Sequence, residues 1–154
     1  MIKISVVVKK KKWLNYIKDP QISLEKKLKI LSKKSNFLKK KKLELSLLLS
    51  GKREIKILNK KFRKKDKSTD VLSFPFYEKV ELKKLMTKKK NIYLGDIIIN
   101  LDKVAGKPKS KNFMNNFDKL WIHGFVHLFG YQNKKNKDFL KMVKLEKIFF
   151  NTIN

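Results

Sequence analysis

Short apolar runs alternate with lysine-rich segments along this chain, and the period of the apolar positions predicts strands and helices in turn. Four runs have strand character, being rich in β-branched residues or continuously apolar: residues 2–8, 43–49, 71–74 and 91–100. Pro75 directly follows the third run. Because proline cannot donate to a ladder hydrogen bond, we expect it either to interrupt that strand or to place it at the edge of a sheet.

Apolar residues at helical spacing predict helices between and after these runs. Ser23 is the expected N-cap of the first helix, whose apolar positions are Leu24, Leu28, Leu31, Phe37 and Leu38. A second helix is expected around Lys52 to Arg63 and a third over 112–129. The charged stretch 77–90 predicts an exposed loop or a short surface helix, and Phe139, Met142, Val143 and Leu145 mark a last helix.

Strands and helices that interleave without strict alternation predict an α+β fold, with a mixed four-stranded sheet covered by helices. At 154 residues the chain suits a single domain spanning 1–154. It has no apolar run long enough to span a membrane, and its N-terminus lacks the features of a signal peptide. We therefore expect a cytoplasmic protein without a membrane partner. Since the chain contains no cysteine, it has no disulfide partners either.

The charge is strongly positive, with 41 basic and 13 acidic residues and a formal net charge of +28. Such a field attracts polyanions, and nucleic acid is the natural partner. The alternative is compositional, because only Arg53 and Arg63 are arginines and an AT-rich coding sequence would by itself favour lysine. Both explanations of the excess charge stay open at this point.

The stretch HGFVHLFGYQN, residues 123–133, contains both histidines of the protein. On a helix, His123 and His127 lie at i and i+4 on one face, a spacing that lets two imidazoles bind one metal ion. Gly130 favours the left-handed conformation that ends a helix, so the chain can return a residue near Asn133 to the same ion. The pattern predicts a metal-site helix ending at a glycine turn. The alternative is that both histidines are core or capping residues.

A metallopeptidase is disfavoured by the residue after the first histidine. In the pattern HExxH this residue is a glutamate that serves as general base, whereas here it is Gly124. The base that such a peptidase needs is therefore missing from its position.

Several blocks together resemble the YbeY family of bacterial metallo-endoribonucleases, whose signature HGxLHLxGYDH stands here as HGFVHLFGYQN. A second block of that family, an asparagine and an arginine ahead of TDVLSFP, matches Asn59, Arg63 and residues 69–75. The family's GDI strand matches residues 95–97. Asp138, Met142 and Glu146 also fall where the family pattern places such residues, so the resemblance covers roughly residues 44–146.

The resemblance implies that His123 and His127 bind one Zn²⁺ ion and that Arg63 is catalytic, lining the cleft and holding phosphate oxygens. Without the resemblance, the alternative role for Arg63 is that of a surface cation beside Asp66. It further implies a zinc-dependent, single-strand-specific endoribonuclease that acts in 16S rRNA 3′-end maturation and ribosome quality control. The implied partners are ribosomal RNA and the small ribosomal subunit.

The chain departs from the family at the third ligand position, where Asn133 replaces a histidine and Gln132 replaces the aspartate before it. An amide oxygen is a weaker zinc ligand than an imidazole. Three outcomes stay open: weak ligation by Asn133, completion of the site by Asp138 or water, or RNA binding without stable metal. The last corresponds to an alternative function, a non-catalytic ribosome- or RNA-binding protein.

Two further carboxylates are candidates with competing roles. Asp70 precedes a predicted strand, where accepting backbone hydrogen bonds is the expected role in preference to direct catalysis. Asp96 either orients a ligating imidazole or occupies a strand irregularity beside Gly95.

Overall fold

A computed structural model describes residues 1–88, 90–132 and 136–154 of the chain. The strands are β1 (Ile2–Val8), β2 (Leu43–Ser50), β3 (Val71–Pro75) and β4 (Ile92–Asn100). The helices are α1 (Trp13–Tyr16), α2 (Pro20–Lys34), α3 (Lys52–Arg63), α4 (Lys79–Met86), α5 (Lys111–His127) and α6 (Asn136–Ile153), with a 3₁₀ turn at Leu101–Lys103. None of the helices in the described part of the chain is long and apolar enough to cross a bilayer.

The strands form one mixed sheet in the order β1-β2-β4-β3. The pairs β1–β2 and β2–β4 are parallel, and β3 runs antiparallel to β4 at the edge. The predicted α+β fold with a four-stranded mixed sheet is confirmed, as is the edge position of the strand that ends in Pro75. Gly95 interrupts β4 with φ +138°, where a Cβ would lie 2.1 Å from the Phe74 carbonyl oxygen. Only glycine fits this position.

The two faces of the sheet are covered unequally. Alternate residues of each strand point to opposite faces. One face, the thick face, packs under α2, α5 and α6 and forms the main core with fully buried Trp121, Phe125 and Phe149. On the other, the thin face, the described residues place α3, and the buried apolar cluster there is Ile55, Leu72 and Ile98.

The first long helix differs from its predicted start and end. Asp19 is the N-cap of α2, because its Oδ1 accepts a hydrogen bond from the Ile22 amide at 3.1 Å and proline occupies the first helical position. Ser23 lies inside the helix, so its assignment as N-cap was wrong. The helix ends at Lys34, and Phe37 and Leu38 pack on the core from the following turn rather than from a helix.

The other elements agree closely with prediction. α3 has the predicted bounds, and α5 begins one residue before and ends two residues before the predicted 112–129. Gly130 takes φ +90° at the predicted turn. The stretch 77–90 contains the short helix α4, one of the two alternatives. Helix α1 was not predicted; it buries Trp13, whose Nε1 donates to the Ser50 carbonyl at 2.8 Å.

Candidate active site

A cleft of about 660 Å³ opens at the edge of the sheet beside β3. The C-terminal half of α3 and the loop after it form one wall, β3 forms the floor, and the end of α5 with its glycine turn forms the other wall. Three predicted site residues meet there, since His123, His127 and Arg63 all line the cleft. The remaining lining residues are Asn59, Lys65, Lys67, Thr69, Asp70, Val71, Leu72, Ser73, Pro75, Gly124, Gly130, Tyr131 and Gln132.

The two imidazoles on the last turn of α5 point their Nε2 atoms at each other. The Nε2 atoms of His123 and His127 are 3.2 Å apart, and the rings are nearly perpendicular at 84°. Two nitrogens that bind one zinc ion tetrahedrally, each at about 2.0–2.1 Å, would be about 3.3 Å apart. The spacing therefore fits two ligands of one ion.

Hydrogen bonds to the other ring nitrogens fix the tautomers. His127 Nδ1 lies 2.8 Å from the Tyr131 carbonyl oxygen, which can only accept, so this nitrogen carries the proton. His123 Nδ1 lies 2.7 Å from Glu146 Oε1 and donates to that carboxylate. In the neutral rings both Nε2 lone pairs then face the gap between them. Two lone pairs cannot hydrogen-bond to each other, and a shared cation satisfies both.

The environment of His127 favours the neutral form that a metal ligand needs. Burial lowers the pKa of His127 below its usual value, and the neighbouring His123 lowers it further. The carbonyl of Tyr131 and the carboxylate of Glu146 act in the opposite direction but are weaker. The imidazole is therefore uncharged at neutral pH and keeps its Nε2 lone pair.

The predicted third ligand, Asn133, lies outside the described residues. Among residues 1–88, 90–132 and 136–154, histidines and carboxylates form no cluster of three or more that could hold an ion. Asp138, the alternative third ligand, is held by Lys79, whose Nζ donates to Asp138 Oδ1 at 3.1 Å. Within the described residues, His123 and His127 can therefore supply two ligands of a metal site.

Arg63, in the last turn of α3, faces the histidines across the cleft. One guanidinium nitrogen donates to the Ser73 carbonyl at 2.6 Å, and the Cζ lies 5.5 Å from the centre of the Phe74 ring. Asp66 instead pairs with Lys56 and Lys60, at 3.9 and 3.8 Å. Arg63 is itself exposed, but in the described part of the chain the ion pairs of Asp66 are with these two lysines rather than with Arg63.

Contacts between β3 and its neighbours fix the distance across the cleft. Ser73 Oγ donates to the Gly124 carbonyl at 2.7 Å, which joins the floor to the helix turn that carries both histidines. A Cβ on Gly124 would lie 2.8 Å from Ile97 Cγ2, so α5 packs closely on the sheet because this residue is glycine. On the opposite wall, buried Asn59 donates to the Lys67 carbonyl at 2.8 Å and holds the loop after α3.

The two other carboxylates have local partners. Asp70 Oδ1 accepts from the Val71 amide at 2.8 Å, a contact that supports the expected structural role. Asp96 accepts from the Tyr93 hydroxyl at 2.6 Å. The carboxylate that orients an imidazole is instead Glu146. Sequence reasoning noted Glu146 without giving it a role, because no spacing rule joins α6 to α5.

Comparisons with known proteins agree with the motif blocks. A family model described as endoribonuclease YbeY matches residues 8–154. A Pelagibacter ubique protein named endoribonuclease YbeY is 43% identical over 156 residues, covering 99% of this chain and 97% of that protein. A Leptospira interrogans protein of the same name is 36% identical over 114 residues, covering 67% and 81%.

A solution structure from Thermotoga maritima, TM1509, has a similar fold. Its TM-score is 0.55 at 24% sequence identity, and the match covers 99% of this chain and 89% of that one. At this identity the similarity concerns the fold alone.

Proposed function

Since the chain belongs to the endoribonuclease YbeY family, we propose that it is a zinc-dependent endoribonuclease that hydrolyses phosphodiester bonds in single-stranded RNA. We propose further that it acts in the cytoplasm, as a single metallohydrolase domain, on ribosomal RNA of the small subunit. Its role there is maturation of the 16S rRNA 3′ end and ribosome quality control. The observation that carries the proposal is the pair of facing imidazoles opposite Arg63 in one cleft.

His123 and His127 are the residues that would hold the ion, and each is oriented from behind by an acceptor. Glu146 holds the His123 ring, and the Tyr131 carbonyl holds the His127 ring. Such outer hydrogen bonds fix ring orientation and raise the basicity of the ligand. When bound, the zinc ion supplies Lewis-acid polarisation of the phosphodiester and activation of water for attack.

Arg63 would bind the phosphate and offset the charge that develops on its oxygens. Its guanidinium has five N–H donors, and the contact with the Ser73 carbonyl uses one nitrogen and fixes the plane. The other donors can form a paired hydrogen bond to phosphate oxygens, which a lysine cannot do. Lys65 and Lys67 add positive charge along the same wall of the cleft.

Arg63→Ala tests the proposal, with Arg53→Ala as the matched control. Both arginines are on α3, but Arg53 lies at the other end of the helix, away from the cleft. We expect Arg63→Ala to lower kcat for cleavage of single-stranded RNA about 10²- to 10³-fold, as for loss of one donor to a developing anion. Arg53→Ala should cleave normally. Normal cleavage by Arg63→Ala would remove Arg63 from the reaction.

A second candidate function is RNA binding without catalysis, which Asn133 favours because it replaces the third imidazole. Zinc analysis of protein purified without chelator, together with RNA cleavage, separates the two functions. We expect bound zinc and cleavage, and an increase in zinc affinity in Asn133→His. RNA binding without zinc or cleavage in the wild-type protein, with cleavage gained in Asn133→His, would instead identify a binding protein.

A further inference from the structure

Two pairs of aromatic side chains lie on the thin face of the sheet and are joined through the edge segment 74–76. Phe62, on α3, lies 5.5 Å from Phe74 between ring centres, and Phe76 lies 5.8 Å from Tyr93. Phe74 and Phe76 are alternate residues of the edge segment and so share a face. The amide of Phe76 still pairs with the Leu94 carbonyl at 2.9 Å, which continues the ladder past Pro75. We call these four residues the aromatic row.

Two phenylalanines of the row, Phe62 and Phe76, are exposed. Phe62 is 57% exposed and Phe76 is 64% exposed. Single exposed apolar residues are common on protein surfaces, but contiguous ones mark a binding surface. Phe74 is partly buried and lies under the Arg63 guanidinium, so the ring surface open to a ligand is that of Phe62 and Phe76.

The row is continuous with the cleft through Arg63. The Arg63 guanidinium lies over the Phe74 ring, while the same side chain lines the cleft with the two histidines. A second cation, Lys61 Nζ, lies 5.2 Å from the centre of the Phe62 ring. Two cations therefore lie against the half of the row that adjoins the cleft, one at Phe62 and one at Phe74.

We propose that the aromatic row is a stacking subsite for unpaired nucleobases of the RNA strand that passes through the cleft. This inference rests on the proposed function. A phosphate held by Arg63 places the neighbouring nucleotide beside the row, where its base can stack on the exposed ring of Phe62 or Phe76. Stacking of bases on aromatic rings tolerates any sequence, because every base has a π-face. A duplex keeps its bases stacked internally and cannot use the row.

Asp96 is a carboxylate on the same face as the row, and it is half-buried and hydrogen-bonded to Tyr93. The Tyr93 hydroxyl donates its one proton to Asp96 and lies 2.8 Å from Ser46 Oγ, from which it can accept. These contacts fix the Tyr93 ring at the end of the row. Burial and the Asp96 contact raise the pKa of Tyr93, so its hydroxyl stays neutral beside a polyanion.

Binding of short RNAs to the zinc-loaded protein tests the subsite, with affinities measured before appreciable cleavage. The probes are a mixed-sequence single strand, the same sequence as a duplex, and a single strand with abasic residues. The variants are Phe62→Ala, Phe76→Ala, Phe76→Leu and Phe76→Trp. Ile22→Ala is the matched control, because Ile22 is 47% exposed on α2, which covers the opposite face.

We expect each alanine variant to bind the single strand roughly 5-fold or more weakly. Phe76→Leu should be weakened similarly, since it keeps apolar area but loses the ring, and Phe76→Trp should bind normally. Duplex and abasic RNA should bind equally to the wild type and to the row variants. Ile22→Ala should be unchanged on every probe.

Single-strand affinity that is the same in the row variants as in the wild type would overturn the subsite and leave the proposed function standing. It would point instead to a protein partner for the row. If the wild-type chain binds no single-stranded RNA at all, the proposed function and the subsite both fail.

Discussion

Helices cover the two faces of the sheet to different extents. The thick face supplies most of the stabilising core, and the thin face leaves surface for contact with a substrate. On the thick face, three helices bury a core that includes Trp121, Phe125 and Phe149, although α6 also leaves Phe139 and Leu140 exposed. On the thin face, the buried apolar residues in the described part of the chain are Ile55, Leu72 and Ile98, and aromatic rings remain exposed beside them. The candidate active site lies at β3, where the two faces meet.

The histidines and Arg63 reach the cleft from opposite faces. Helix α5, whose last turn carries both histidines, is anchored on the thick face, whereas α3, which carries Arg63, rests on the small cluster of the thin face. A rigid support suits a metal site, because its ligands must be held to within a fraction of an ångström. A thinly covered face leaves surface for a long polyanionic substrate.

The largest expected effect comes from truncating a core residue of the thick face. Phe125→Ala should lower the free energy of unfolding by about 3–5 kcal/mol, because it leaves a cavity among Trp121, Phe129 and Phe149. Ile55→Ala on the thin face should cost about 2 kcal/mol, at the low end for such a change, since its cluster is small and can collapse. Urea unfolding of both variants measures the difference. Equal losses would contradict the contrast between the faces.

The strands and α3 were predictable because their signals are local. Residues 2–8 read as a strand from their β-branched side chains, and Gly51 with the apolar stripe around Ile55 gave the bounds of α3. The start of α2 was misread, because Ser23 and Asp19 are both good N-caps and only the proline after Asp19 separates them. Phe37 falls at helical spacing in the sequence and was therefore assigned to the helix, but it packs on the core from the turn after α2.

The candidate site was predictable only in part. The spacing of His123 and His127 is fixed by the helix itself, so their meeting follows from sequence. The contact between His123 and Glu146 joins residues 23 positions apart on two helices, and the contact between Arg63 and the Ser73 carbonyl depends on the packing of α3 on β3. Such contacts are set by tertiary packing, which no local pattern encodes.

Glu146→Gln tests whether the Glu146 carboxylate, on the thick face, orients the metal ligand His123 through its hydrogen bond to Nδ1. The glutamine side chain would keep an acceptor for His123 Nδ1 but lose the charge, so we expect zinc affinity to fall about 10-fold, and about 100-fold in Glu146→Ala. Competition with a chromogenic chelator measures the dissociation constant. The melting temperature of the metal-free protein should change little in either variant.

Glu81→Gln is the matched control, since it removes an exposed carboxylate from α4. Zinc affinity in this variant should equal that of the wild type. If Glu146→Gln binds zinc as tightly as Glu81→Gln does, the carboxylate does not support the ligand and the thick face contributes only packing.

The smallest expected effect concerns the start of α3, the helix on the thin face. Gly51 has no side chain to cap the helix, and Asp102 supplies the acceptor instead, with Oδ2 at 3.0 Å from the Lys52 amide. Lys10 also approaches this carboxylate, at 3.4 Å, but both side chains are about two-fifths exposed, so their ion pair contributes little.

The Lys52 amide and the Lys10 charge together hold the pKa of Asp102 below its ordinary value of 3.8, and only partial burial opposes them. A lowered folded-state pKa means that this carboxylate stabilises the fold above about pH 4, and that the contribution is lost as pH falls through the folded pKa. Asp102→Asn keeps an oxygen that can accept from the Lys52 amide but removes the charge, so it should lower the free energy of unfolding by roughly 0.3–1 kcal/mol at pH 7, as for a charge near a helix N-terminus. Urea unfolding at pH 7 and at pH 3 should show the deficit shrinking at the lower pH. A deficit that stays constant would mean that Asp102 acts on α3 through its shape rather than its charge.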